Sequence, residues 1–241
     1  MKYFTGIAKC FLCCILTFKS VFAVEVAELR IGTEGMYPPF EFYKDGELTG
    51  FDVDLGNLVA QQLGVKPVFV DMTFNSLFPA VNIGKIDVAI ATISASEAKK
   101  KNFAFSDPYY EDTIGMLYIN DKITKKEDLS GKIIGIQFGT TGNTAWINQN
   151  CKEPKIVYMD NNNMLVEALK AKRLDVVIVD VPQAKYFAKN NKLKWKLLGS
   201  ISDGYRIVMK KDSKLLPKVN DALKTLTNNG EIGKLKKKWG L

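Results

Sequence analysis

The sequence predicts an α/β fold arranged as two lobes. Three observations carry that prediction. Strand and helix patterns alternate from Leu29 onward, the alternation starts again at Lys132, and the two series end in look-alike stretches, "NIGKIDVAIAT" and "KAKRLDVVIVD". Alternation of this kind gives parallel strands joined by right-handed crossovers, and a repeated unit gives a second lobe. A generic helix-to-strand turn is the other source of such a likeness.

Taken in order, "LRIGTE" is a short apolar strand. "FDVDLGNLVAQQLGV" follows as a helix, with Leu55, Leu58, Val59 and Leu63 at helical spacing and Gly64 as its stop. "KPVFVDM" is a second strand, "NSLFPAVNIGKI" a helix, and "DVAIATIS" a third strand buried on both faces. In the second series "KIIGIQF" is a strand that runs through Gly139-Thr140-Thr141-Gly142 into a helix. "PKIVYM" is the next strand, "NNNMLVEALKAKR" a helix, and "LDVVIVD" the buried last strand. From Leu215 to Leu241 the tail is helical, with Leu216, Val219, Leu223 and Leu226 on one face. Its end, "KLKKKWGL", reads as a solvated face with Trp239 turned inward.

Composition removes several functions. The 241 residues are 46% apolar and 25% charged, which is globular rather than disordered. The formal charge is +8, yet only Arg30, Arg173 and Arg206 are arginine. Lysine spread along the whole chain lacks the clustered Arg/Lys of a nucleic-acid surface. There is no histidine, which removes His-dependent triads and most zinc sites. No cofactor or metal is implied. The first 23 residues, with Lys2, Lys9, the apolar run Cys10 to Phe18 and then Val21-Phe22-Ala23, have the order of a cleaved secretory signal. Its loss leaves 31 basic against 26 acidic residues, and Cys151 as the lone cysteine. An exported protein without an internal disulfide is the expectation.

Several stretches point to a small-molecule cleft. Tyr37-Pro38-Pro39-Phe40 follows the first strand, at the carboxyl end where open α/β sheets bind ligands, as a packing loop or a ligand clamp. Ala91-Thr92-Ile93-Ser94 ends the third strand. Gly139, Thr140 and Thr141 open a helix, whose free N–H groups and dipole favour a carboxylate or phosphate. Asp180 ends "VVIVD", either as a carboxylate on the rim or as the N-cap of the helix after Pro182.

In order and spacing, "IGTEGMYPPFEF…GELTGFDVDL", "FNSLFPAVNIGKIDVAIATIS", "FSDPYY", "LSGKIIGIQFGTTG" and "NNGEIGKLKKKWG" resemble the amino-acid-binding proteins of ABC importers. The resemblance implies a type II periplasmic-binding-protein (Venus-flytrap) fold, two α/β lobes joined by two crossover strands. Lobe 1 would span 24–110 and 204–241, and lobe 2 would span 111–203. It implies a monomer in the periplasm that captures a polar amino acid, arginine or lysine ahead of glutamine or histidine. An inner-membrane ABC permease would be its partner, with no nucleic acid involved and no catalysis. The alternative on the same fold is a cleft enzyme such as cyclohexadienyl dehydratase, with Glu34 or Asp180 as general acid.

Residue by residue, the resemblance puts Tyr37 and Phe74 on either side of the ligand side chain and Glu34 at its polar end. Ala91 (through its carbonyl), Thr92 and Ser94 would bind the α-amino and α-carboxylate groups. Gly139 to Thr141 would meet the carboxylate from the other lobe, and Asp180 the α-ammonium. The family's carboxylate-binding arginine falls on Lys99, which keeps the charge but not the two-point fork. Drift toward lysine explains this substitution, and a ligand without standard carboxylate geometry is the alternative. Lys100 and Lys101 are expected in solvent.

Overall fold

The computed structural model describes residues 27–111, 113–200 and 204–241. The predicted signal segment, 1–23, lies outside the described residues. The first unit contains β1 (Glu28–Thr33), the small hairpin strands β2 (Met36–Tyr37), β3 (Glu41–Lys44) and β4 (Glu47–Thr49), and α1 (Phe51–Leu63). It continues with β5 (Lys66–Asp71), α2 (Phe74–Asn82), β6 (Val88–Ala89), α3 (Glu97–Lys100) and β7 (Phe103–Phe105). The second contains β8 (Thr113–Tyr118), β9 (Ile133–Gln137), α4 (Thr141–Asn150) and β10 (Lys155–Met159). It ends with α5 (Asn162–Lys170), β11 (Val176–Asp180), α6 (Val181–Asn191) and β12 (Lys194–Ser200). The chain finishes with β13 (Val208–Lys210), α7 (Leu215–Asn228) and α8 (Glu231–Trp239).

Two five-stranded sheets share one plan, β5-β1-β6-β13-β7 and β10-β9-β11-β8-β12. In each, the first strand lies parallel between the second and third. The fourth position is antiparallel in both, filled by β13 in one and β8 in the other. Filling these places requires the chain to pass between the sheets twice. The two passages meet where Tyr205 pairs antiparallel with Tyr110, its N–H donating to the Tyr110 carbonyl at 2.9 Å.

The look-alike stretches play one role twice. Asp87 accepts the N–H of Arg30 at 2.9 Å and returns its own N–H to the Arg30 carbonyl. Asp175 does the same with Ile133, accepting at 2.8 Å and donating at 2.9 Å. Each aspartate thus satisfies the entrance of the central strand beside it. The likeness is structural, not the coincidence of a turn.

Apolar faces follow the sequence periodicity. Leu55 and Val59 of α1 pack with Ile31, Val88, Ile207, Val219, Leu223 and Leu226 in one core. Each fully buried side chain of this size contributes about 1.5–3 kcal/mol. The other sheet packs Leu165, Leu169, Val177 and Phe187 on one face and Ile134, Ile136, Val176 and Cys151 on the other. Trp239 turns inward as expected, against Phe42, and its indole N–H donates to Asp54 at 2.7 Å.

Two elements differ from the sequence expectation. The tail is two helices, because Gly230 takes the left-handed conformation (φ 78°) and opens α8. The strand expected through Ser94 is reduced to Val88–Ala89, because Thr92 turns to φ 47° and breaks the ladder. The expected loop Tyr37-Pro38-Pro39-Phe40 connects β2 to β3 of the hairpin β2-β3-β4, which no pattern predicted.

Candidate functional site

The carboxyl ends of the central strands face one another across a cleft. β1 leads to Tyr37, the end of β6 leads to Thr92 and Ser94, β9 ends at Gln137 and β11 at Asp180. Between them lies a narrow space lined from both sides. Its wall on one side is Tyr37, Phe74, Thr92, Ser94 and Lys99. On the other it is Gln137, Thr140, Thr141, Gly142, Asn143, Asn162, Val179 and Asp180.

Hydrogen bonds cross the cleft. The Tyr37 hydroxyl donates to the Asp180 carboxylate. Gln137 Nε2 donates to Glu34 at 2.7 Å, Lys99 Nζ to the Gly139 carbonyl at 3.2 Å, and Thr141 Oγ1 to Ser96 Oγ at 3.2 Å. Gly139 sits at φ 92°, and a Cβ there would lie 3.3 Å from Phe74 Cδ1. Only glycine allows both that conformation and so close an approach. The cleft is closed.

One part of the wall offers donors. Lys99 Nζ stands 4.2 Å from the centre of the Phe78 ring and 5.4 Å from that of Phe74, and burial lowers its pKa to about 8. It remains mostly charged at neutral pH. Nearby, the first-turn N–H groups of α4 at Gly142 and Asn143 have no carbonyl one turn back. Another part offers acceptors. Asp180 is the positional N-cap of α6 but makes no capping bond through its side chain. Asn162 donates to Gln183 at 2.7 Å, while its Oδ1 is buried with no partner among the described residues. The position of Thr92 is strained, since a β-branched residue at positive φ costs about 1–2 kcal/mol. Its N–H donates to Asp52 Oδ2 at 2.8 Å, and the residue lines the cavity.

Residues 29–241 match the bacterial extracellular solute-binding proteins, family 3. The chain belongs to that family. It is 33% identical over 225 residues to the arginine-binding extracellular protein ArtP of Bacillus subtilis (strain 168), covering 88% of this chain and 86% of that one. Among solved structures it resembles an ancestral arginine-binding protein bound to arginine, with TM-score 0.80 and 37% identity over 88% of this chain and 98% of that one. It also resembles the ancestral amino acid-binding protein AncCDT-1, a precursor of cyclohexadienyl dehydratase, with TM-score 0.79 and 32% identity over 88% and 95%. The fold is therefore the two-lobed type II periplasmic-binding-protein fold.

Of the residues singled out in the sequence, the cavity wall gathers Tyr37, Phe74, Thr92, Ser94, Lys99, Thr140, Thr141 and Asp180. Three others fall behind it. Glu34 is turned away because it accepts Gln137 and, at 3.4 Å, the Phe74 N–H, and burial raises its pKa. Ala91 is fully buried in the core. Gly139 spends its carbonyl on Lys99 and its own space on Phe74. The expected helix-terminus donors also shift by one residue, because the Thr141 N–H is taken by the Gly139 carbonyl at 3.0 Å. Sequence reasoning missed Gln137, Asn143 and Asn162. The polar run Asp160-Asn161-Asn162-Asn163 after the strand "PKIVYM" was the signal for Asn162.

Proposed function

We propose that the cleft captures a basic L-amino acid, arginine or lysine, and that the closed form hands it to an inner-membrane ABC permease. The observation that carries this reading is one cavity with cationic and N–H donors in one part of its wall and an aspartate in another. A zwitterion needs both. Lys99 and the first turn of α4 suit the α-carboxylate, and Asp180 with Asn162 suits the α-ammonium. Tyr37 and Phe74 suit the side chain between them, a stacking role open to a guanidinium. Gln137 directs its amide N–H groups to Glu34 and to the Asp160 carbonyl at 3.2 Å. Its own carbonyl is left as an acceptor for a donor-rich side chain, and Glu34 acts through it. The arginine named for ArtP and for the ancestral structure supports the same choice.

The lobe limits 24–110 with 204–241, and 111–203, belong to this reading, as do the cleaved signal, the periplasm and the monomeric state. The likeness to a dehydratase precursor brings up catalysis. Against it, two carboxyl groups whose pKa burial raises, Glu41 and Asp52, do not line the cavity.

A thermal-shift screen of the common amino acids tests the reading. Arginine and lysine are expected to give the largest shifts, since a ligand at a hundredfold excess over Kd adds about 2.7 kcal/mol. A protein stabilised by glutamine and indifferent to arginine would overturn the assignment, and turnover of prephenate would replace it with the enzyme.

A further inference from the structure

Behind the cavity wall two carboxyl groups meet out of water. Glu41 is 1% exposed and Asp52 fully buried, and the Asp52 N–H donates to the Phe40 carbonyl at 2.8 Å, which sets the two residues side by side. Asp52 Oδ2 accepts the Thr92 N–H at 2.8 Å and the Tyr109 hydroxyl at 2.9 Å. Asp52 Oδ1 and Glu41 Oε2 are buried with no hydrogen-bond partner among the described residues. Two carboxylates cannot share such a site, because their repulsion adds to the cost of burying both charges. A single proton between them satisfies both orphan oxygens.

We propose that Glu41 keeps its proton at neutral pH and donates it to Asp52, and that this proton-bridged pair positions Thr92 for the ligand. The groups that bear on Glu41 are all acids or phenols: Asp52, Glu34 and Asp180, with Tyr37 and Tyr109 beside them. Two cations of α8, which packs on α1, are engaged elsewhere. Lys236 lies over the Tyr110 ring, and Lys238 pairs with Asp54. Burial and these acids hold the Glu41 carboxyl well above its ordinary range, and burial raises Asp52 to about 6. The pair thus carries one charge, on Asp52. That charge anchors the strained Thr92 backbone on one side and Tyr109, in the passage between the sheets, on the other. Glu41 and Asp52 are positioning residues, since neither lines the cavity.

The proposal rests on the amino-acid reading of the cleft only for its effect on affinity. The proton itself is read by infrared difference spectroscopy of wild type against Glu41→Gln at pH 7. A protonated carboxyl band that shifts in D₂O and vanishes in Glu41→Gln is expected, and its absence would overturn the proposal. Positioning is read from amide exchange at Thr92 and from calorimetry with arginine. Glu41→Gln replaces an O–H donor with an N–H donor and should keep Thr92 protected and arginine affinity within about threefold. Glu41→Leu, which has no donor, should speed Thr92 exchange and weaken arginine about tenfold or more. If Glu41→Gln, still folded by circular dichroism, loses as much as Glu41→Leu, the proton bridge is not what positions Thr92. Should Glu41→Leu fail to fold, the band and the Glu41→Gln exchange rate decide. If wild type binds no amino acid, the functional reading fails, while the band and the exchange rates still decide the pair.

Discussion

Lys99 meets two opposed requirements. It stands on two aromatic faces with one carbonyl partner, in a site dry enough to bring its pKa down to about 8. Between about pH 8 and 10.5 the unfolded chain therefore binds more protons at this position than the folded one. The cost of burying the charge is fully present below pH 8 and is relieved as pH rises to 10.5. Lys99→Met should stabilise the free protein at pH 7 by about 1–2 kcal/mol, after the lost cation–π and hydrogen-bond contacts are set against the desolvation. That gain should shrink toward pH 10.5. The same change should weaken the amino acid by about 1.5–3 kcal/mol. Lys100 and Lys101 are exposed, with Lys100 on Glu97 at 3.0 Å, so Lys100→Met should do neither. Thermal melts across pH and calorimetry on both variants check this, and equal effects would mean a general surface field. The family resemblance told these lysines apart, because its carboxylate-binding arginine falls on Lys99. The sequence could not show that Phe78 lies beneath Lys99, or that Glu34 reaches the cleft through Gln137. Those contacts join segments far apart in the chain, and no local pattern encodes them.

At the scale of elements, periodicity and turn chemistry carried most of the information. The helix after Gly50, its stop at Gly64 and the buried strand before Asp180 all follow from local spacing. What failed were the places where a tertiary bond overrides a local preference. The strand before Ser94 stops early because Asp52 holds Thr92 in a conformation that no β-branched residue adopts unaided. The first turn of α4 offers Gly142 and Asn143 because Gly139 folds back on Thr141. At that turn the two walls also approach closely, a Cβ on Gly139 lying 3.3 Å from Phe74 Cδ1. Gly139→Ala should cost about 1 kcal/mol or more of stability from its positive φ. It should also weaken ligand severalfold, because the added methyl meets Phe74 and holds the cleft ajar. A variant with wild-type affinity and melting temperature would show that the approach is not needed for closure.

At the scale of the molecule, two sheets of one plan are joined by two passages, and the bonds between Tyr37 and Asp180, Gln137 and Glu34, and Lys99 and Gly139 latch one wall of the cleft to the other. A ligand that touches both walls favours the closed form by its differential affinity for it. The duplicated plan was legible in the two look-alike stretches, since their aspartates do the same work in both sheets. The latch was not, because it pairs residues 40 to 143 positions apart. The most direct test of the account is a calorimetric titration of the wild-type protein with arginine, with glutamine and with the decarboxylated amine of arginine. Arginine is expected to bind tightest and the amine at least about tenfold more weakly, the loss of one charge-assisted contact. An amine that binds as well as arginine would contradict the account, because Lys99 and the α4 terminus would then recognise no carboxylate.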